Sequence, residues 1–160
     1  MTTGTMSAYI DGLKLLGRRE LSVRQLRARL IDREHSPEDA DEAATRLLEN
    51  GALDDGRVAR AYARTAAKVK GRGRLRVARE LQALGIARDI IAEAVAEVFG
   101  DLDERALIDR AIQKKLRGGQ KPSTMQERAR LYQFLMRQGF TPAAVSAALR
   151  RIGAAPAGDE

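Results

Sequence analysis

The sequence predicts an all-α protein, an elongated, curved tandem array of three three-helix repeats. Three observations predict it. Aromatic residues make up 4% of the 160 and Trp is absent, so the core has to come from Ala, Leu, Ile and Val. Strands favour β-branched and aromatic residues, and packed helices do not need them. No stretch alternates apolar and polar residues over strand length, whereas apolar positions keep the 3.6-residue helical period. Finally, segments from three parts of the chain superimpose without gaps, which is the mark of a repeat architecture.

The elements follow in order. Helices are expected at 7–17, 22–33, 37–49, 54–69, 74–84, 87–99, 102–117, 124–138 and 142–152. Ser22 followed by Gln25 reads as a capping box, and Leu26 and Leu30 carry the apolar stripe behind it. Ser36-Pro37 supplies an N-cap with Pro at the first helical position, Asp39 near it, and Ala40, Ala44, Leu47 and Leu48 on the buried face. The fourth helix opens after Leu53-Asp54-Asp55, past Gly51. The fifth follows Gly71 and Gly73 and stops at Gly85; the sixth stops at Gly100. Leu102-Asp103-Glu104 opens the seventh. Thr124 with Glu127 caps the eighth, which ends at Gly139, and Thr141-Pro142 repeats the Ser36-Pro37 start for the ninth.

The middle and last helices of each set align. Leu26 matches Val77 and Leu131; Leu30 matches Leu81 and Leu135; Glu34 matches Gly85 and Gly139; Ala40 matches Ile91 and Val145; Leu47 matches Val98 and Ile152. The units are about 7–50, 54–99 and 102–152 of a single domain, with a flexible tail at 153–160. A three-helix unit cannot bury its face alone, and stacked units make a continuous core and a long concave surface. Such a surface suits an extended partner rather than a small substrate.

Charge is distributed in blocks. The net charge is +7, but residues 32–55 and 80–104 are strongly acidic, while 1–31, 57–79 and 105–137 are basic. A solvated helix surface usually mixes signs at short spacing. Blocks this long form separate faces after folding, a basic one for polyphosphate and an acidic one for something else.

Several function classes fall away. With no Cys there is no disulfide framework, thiol nucleophile, Cys-ligated zinc or iron–sulfur cluster. One histidine cannot make a His-rich metal site, and no phosphate loop of the Walker type is present. Neither a catalytic constellation nor a metal or cofactor is expected. No apolar run approaches ~18 residues, so no membrane span is expected. The start, MTTGTMSAYIDG, does not read as a signal peptide, and a cytoplasmic protein is the expectation.

The strongest local signal is the segment 57–79, which holds Arg57, Arg60, Arg64, Lys68, Lys70, Arg72, Arg74, Arg76 and Arg79 and no acid. The first four lie three or four apart and line one helix face. The rest cross the Gly71–Gly73 loop into the next helix, where arginines and free helix N–H groups can grip phosphate. Like charges this dense repel unless a polyanion or an acidic surface neutralises them, and counterion release would then drive binding without base specificity. Lys114 and Lys115, with Arg117 and Lys121, occupy the matching place in the third unit, and Arg24, Arg27 and Arg29 contribute in the first. Tyr9, Tyr62, Tyr132, Phe99, Phe134 and Phe140 stand at apolar helical positions and read as core rather than as stacking platforms. Asp54-Asp55 reads as a helix start rather than an acid/base pair. His35, in a polar turn, reads as solvated.

The string LLENGALDDGRVARAYARTAAKVKGRGRLRVARELQALGI resembles the signature of the RecX family of recombination regulators: Gly51 to Asp55, the basic helix 57–68, the Gly71–Gly73 loop, and the basic helix 76–86 with Glu80-Leu81 and Gly85. Leu15 to Leu30 is similar to the family's start, and the resemblance covers about 8–152. Ala52 stands where the family favours Leu, Val58 where it favours Phe, Arg74 where Pro is common, and Glu34-His35 where Gly-Phe is common. The resemblance implies tandem three-helix repeats without catalysis. It also implies binding to the RecA recombinase filament on single-stranded DNA, along its groove, with restraint of ATP hydrolysis, strand exchange and co-protease activity. Arg72, Arg74, Arg76 and Arg79 would then meet DNA or filament, flanked by Arg64, Lys68 and Lys70, with double-stranded DNA a second possible substrate and a monomer the expected state. The alternatives are a sequence-nonspecific DNA-binding protein or a helix-turn-helix transcription factor not acting on RecA. The latter calls for duplex sequence preference and a two-fold dimer.

Overall fold

The computed structural model describes residues 1–153, and they form nine α-helices with no strand among the described residues. They are α1 (Thr3–Arg18), α2 (Val23–Asp32), α3 (Pro37–Glu49), α4 (Asp55–Lys68), α5 (Arg74–Ala83), α6 (Arg88–Gly100), α7 (Glu104–Lys115), α8 (Met125–Gln138) and α9 (Pro142–Gly153). Every expected helix is present. The tail expected over 153–160 lies, beyond Gly153, outside the described residues.

The chain divides into two compact units, Met1–Tyr62 with Glu80–Ala94, and Ala63–Arg79 with the chain from Val95 on. The first holds α1 to α3 around Ala8, Leu15, Leu21, Leu26, Leu30, Ala40, Ala43, Ala44 and Leu47, all buried. Small residues bring α1 close to its neighbours: a Cβ on Gly12 would stand 2.9 Å from Leu47 Cδ1. The second unit packs α7, α8 and α9 through Leu107, Ile108, Leu131, Leu135, Val145 and Leu149. Truncating one such Leu to Ala typically costs about 2–5 kcal/mol.

The repeat register reappears as hydrogen bonds. The N–H groups of His35, Ile86 and Phe140 donate to the carbonyls of Leu30, Leu81 and Leu135 at 3.1, 3.4 and 3.3 Å. The residue before each, Glu34, Gly85 or Gly139, has φ of 70, 81 or 101°. This is the same left-handed helix ending three times, satisfying carbonyls that the helix leaves orphaned. Glu34 is the one non-glycine among the described residues with positive φ, so the first repeat bears a backbone strain the other two avoid. The third helices open alike: Ala40, Ile91 and Val145 donate to the carbonyls of Ser36, Ala87 and Thr141 at 2.9, 3.0 and 2.9 Å.

Each unit also contains one joint between helix ends. In the first, the N-cap of α2 meets the C-terminal end of α5. Ser22, fully buried, donates its hydroxyl to the Leu84 carbonyl at 2.7 Å and accepts the Gln25 N–H at 3.1 Å. In the second, the start of α5 meets the end of α8. Gly73 N–H donates to the Gln138 carbonyl at 2.8 Å and Leu75 N–H to the Gly139 carbonyl at 2.9 Å. Free donors of one helix thus pair with free acceptors of another, positive end to negative end. The approach is close: a Cβ on Gly73 would lie 2.5 Å from the Gly139 carbonyl carbon, and one on Gly139 would lie 2.3 Å from Arg76 Cβ.

Three local expectations are corrected. Helix α1 starts at Thr3 rather than at 7, because Thr2 caps it by accepting the Thr5 N–H at 3.1 Å, and the buried Thr5 hydroxyl donates to Asp39 at 2.9 Å. His35 is not solvated. It fills the place of Ile86 and Phe140 in the other repeats, its side chain is 11% exposed, and its Nε2 lies 2.6 Å from Asp11 Oδ2. Of the aromatics, only Phe99 and Phe140 are buried; Tyr9, Tyr62, Tyr132 and Phe134 are half-buried.

Two outcomes test this description. Gly73→Ala should lower unfolding stability by about 2–3 kcal/mol through overpacking against backbone. Gly71→Ala should cost about 1 kcal/mol from its left-handed backbone alone, because open space surrounds Gly71 at φ 68°. Equal costs in urea unfolding would remove the joint as the reason for Gly73. The second concerns acid. The hydrogen bond with His35 holds the Asp11 carboxyl below its ordinary 3.8, helped by the charges of His35, Arg33 and Lys14 and opposed by burial. A carboxyl depressed in the folded state stabilises above its unfolded pKa and loses that contribution as pH falls through the folded value. Asp11→Asn should therefore be less stable than the wild type at neutral pH, and the gap should shrink below about pH 4. A gap that persists through acidification would break the Asp11–His35 assignment.

Candidate nucleic-acid interface

Helix α4 opens on the two aspartates singled out in the sequence. Asp54 Oδ1 accepts the Arg57 N–H at 3.0 Å, as expected of a helix start. Asp55 does something the sequence does not reveal: its Oδ1 accepts the Val23 N–H at 2.9 Å and so caps α2. Neither is poised for chemistry.

The basic residues separate into those engaged within the fold and those presented outward. In the first unit, Arg57 spreads its guanidinium over Glu20, at 3.0 and 3.1 Å, and the carbonyls of Gly51 and Ala52, both at 3.1 Å. The Glu20 hydrogen bond raises its pKa further, so it stays charged throughout. Arg27 is paired with Asp41. Arg24 is exposed, with its chain laid against Gly85, and Arg60 is half-buried with contacts of its own.

In the second unit, Arg74 pairs with Glu104 and lies over Phe99, its guanidinium carbon 5.5 Å from the ring centroid. Where the RecX resemblance expects Pro, this arginine ties the start of α5 to the start of α7. Arg72 and Arg76 are half-buried and have partners. Arg64, Lys68, Lys70 and Arg79 are exposed, and no acid within 57–79 can neutralise them.

The structure brings four cations together around a crevice of about 90 Å³. Lys68, Val69, Lys70 and Gly71, from the end of α4 and its loop, line it together with Arg110 and Lys114 of α7 and Phe134 and Gln138 of α8. Lys115, next along α7, sits over Phe134 with Nζ 5.0 Å from the centroid. Lys68, Lys70, Lys114 and Lys115 come from the sequence reading. Arg110 does not, and the half-buried Phe134 reads in the sequence as core rather than as part of a site. The signal for Arg110 is its i,i+4 spacing to Lys114, which puts both on one face of α7. Among the described residues no carboxylate lines the crevice; Asp109, beside Arg110, is turned to Arg151 at 3.3 Å.

The chain matches three family models in order. They are RecX, first three-helix domain, over 8–47; RecX, second three-helix domain, over 54–95; and RecX, third three-helix domain, over 103–149. The chain belongs to the RecX family. It is 36% identical to the regulatory protein RecX of Halorhodospira halophila over 136 residues, covering 85% of this chain and 82% of that one. It is 34% identical to the regulatory protein RecX of Pelodictyon phaeoclathratiforme over 143 residues, covering 89% and 87%. In fold it is similar to the crystal structure of RecX from Lactobacillus salivarius, at TM-score 0.83 and 16% identity, covering 96% and 99%. RecX is a family of regulatory proteins, and no helix among this RecX chain's described residues is long and apolar enough to cross a membrane.

The geometry separates anchoring arginines from presented ones, and the separation is measurable. Arg57→Ala should cost about 1 kcal/mol of stability, the scale of an exposed ion pair plus its hydrogen bonds, and leave affinity for a DNA strand unchanged. Arg64→Ala with Arg79→Ala should do the opposite. Loss of strand binding in a folded Arg57→Ala variant would return that residue to the interface.

Proposed function

We propose that this chain is a negative regulator of RecA, binding the RecA–single-stranded DNA filament and restraining its ATP hydrolysis, strand exchange and co-protease activities in DNA repair and the SOS response. It acts as a cytoplasmic monomer, without catalysis or a cofactor of its own. The observation that carries this reading is the exposed, acid-free set of Arg64, Lys68, Lys70 and Arg79 on a chain of the RecX family. Such a set has the composition of a phosphate-backbone contact, strong in low salt and indifferent to base sequence.

Two further features support it. The three-helix repeats suit an extended partner, since each adds surface rather than a closed pocket. The acidic segments present Glu38 and Glu49 on α3 and Asp89 and Glu93 on α6, all exposed. Those carboxylates suit a basic protein surface, and the arginines and lysines suit the strand. One chain that offers both signs is matched to a protein–nucleic acid filament rather than to bare DNA.

The test is ATP hydrolysis by RecA on single-stranded DNA with this protein titrated in and bare-strand binding measured alongside. Hydrolysis should fall at concentrations well below those that saturate the bare strand. A fall only once the free strand is coated would mean competition for DNA, and no fall would remove RecA as the partner.

A further inference from the structure

The crevice between the end of α4 and α7 differs in its charge from the two larger openings described in the same unit. Those openings measure about 650 and 500 Å³. The first is lined by Lys115, Arg117, Lys121 and Arg130, but Glu127 shares it. Glu127 accepts the Ser123 N–H at 2.7 Å on its carboxylate, and its own N–H donates to the hydroxyl of Thr124, the N-cap of α8, at 3.1 Å. Backbone N–H groups, that of Ser123 first and that of Thr124 next, hold its pKa low, so its negative charge persists. The second is lined by Lys121 but also by Asp109, with Ile112, Leu116 and Ile152. An anion entering either meets a carboxylate. The small crevice has Lys68, Lys70, Arg110 and Lys114 and, among the described residues, no carboxylate.

Size narrows the ligand. Sites for drug-sized molecules run to about 300–1,000 Å³; about 90 Å³ excludes a nucleoside and admits a phosphate group. The cations come from segments far apart in sequence, so the fold holds them together against their mutual repulsion. Such a cluster is relieved by an anion, with Arg110 offering a planar fork and the lysines point charges. Val69, which also lines the crevice and lies between Lys68 and Lys70 in sequence, is 72% exposed. Phe134, half-buried with Lys115 over its ring, lines it as well. An apolar rim beside a phosphate seat matches an unpaired strand, whose bases are free to lie on apolar surface, better than a duplex, whose bases are stacked away.

We propose that Lys68, Lys70, Arg110 and Lys114 form a seat for one phosphate group of a single-stranded nucleic acid, with the adjoining base resting on Val69. The seat rests on the reading that the presented cations meet a strand, and it adds Arg110 and Val69 to them. The same phosphate chemistry could come from free polyphosphate, and the experiment separates the sources.

Amide NMR of the full chain is titrated with inorganic pyrophosphate and, separately, with a short homopyrimidine strand. Salt dependence of strand binding is measured for the wild type, Arg110→Ala, Val69→Ser and, as a control in the larger groove, Arg130→Ala. Pyrophosphate should shift Lys70, Gly71 and the end of α7, and the strand should displace it. Arg110→Ala should make the salt slope shallower by about 1. Val69→Ser should weaken single-strand binding several-fold and duplex binding not at all, and Arg130→Ala should change neither. Circular dichroism of each variant confirms folding. Strand binding and filament inhibition by the wild type with an unchanged slope in Arg110→Ala would overturn the seat and leave the proposed function standing. Pyrophosphate shifts without displacement by the strand would assign the seat to free polyphosphate and overturn the strand. No binding of either would overturn both.

Discussion

The structure depends on helix ends meeting helix ends. An α-helix leaves four N–H groups at one end and four carbonyls at the other without partners. Here the deficits cancel in pairs. The buried Ser22 at the start of α2 reaches the Leu84 carbonyl at the end of α5, and Gly73 and Leu75 at the start of α5 reach the Gln138 and Gly139 carbonyls at the end of α8. Opposite ends of two helix dipoles also face each other. The contact works only if backbone approaches backbone, which explains the glycines at these points. Gly73 and Gly139 face each other with no room for a Cβ, and Gly85 lies under the side chain of Arg24. The two glycines of the Gly-x-Gly loop do different things. Gly73 is buried in packing, and Gly71, in open space, is free to shape the basic loop.

The fold was legible because its signals are local. Caps, apolar periodicity and the recurrence of Leu30, Leu81 and Leu135 act over a few residues, and the same hydrogen bonds appear at each of those positions. What escaped was set by partners distant in sequence. Asp55 caps α2 from across the unit. Thr2 and Thr5 extend α1 because Asp39 is there to receive the Thr5 hydroxyl. His35 looks polar beside Ser36-Pro37, yet it takes the place that Ile86 and Phe140 fill elsewhere. It is tolerated there because Asp11 satisfies its ring nitrogen.

The candidate site was legible in composition and less so in detail, for the same reason. A run of nine cations without an acid announces a basic surface, but not which of them face out. The acidic blocks that alternate with the basic ones supply part of the answer. Glu20 takes up Arg57, Asp41 takes up Arg27, and Glu104 takes up Arg74. The last two join a basic block to an acidic one, whereas Glu20 and Arg57 both lie in basic blocks. The alternation of blocks therefore serves cohesion within each unit before it serves a partner. Arg57 and Arg74, which a charge count places at the interface, are anchors in the fold.

What remains after those pairings says more about the partner than the net charge does. Electrostatic affinity for a polyanion depends on how many phosphates can be met at once, not on the total of arginines. Arg64, Lys68, Lys70 and Arg79 are presented without acids between them, and Lys114 and Arg110 extend the set onto α7. That is a modest number of contacts. It suits salt-sensitive, sequence-blind binding to a strand more than tight operator recognition, which needs base-edge contacts from a helix in a groove. A protein with that few phosphate contacts gains selectivity only if a second surface contributes. The exposed carboxylates of α3 and α6 are the obvious source, because free DNA repels them and a basic protein on the strand attracts them. Under the proposed function, selectivity for a coated filament over bare DNA would follow from charge: the same acids that weaken one encounter strengthen the other.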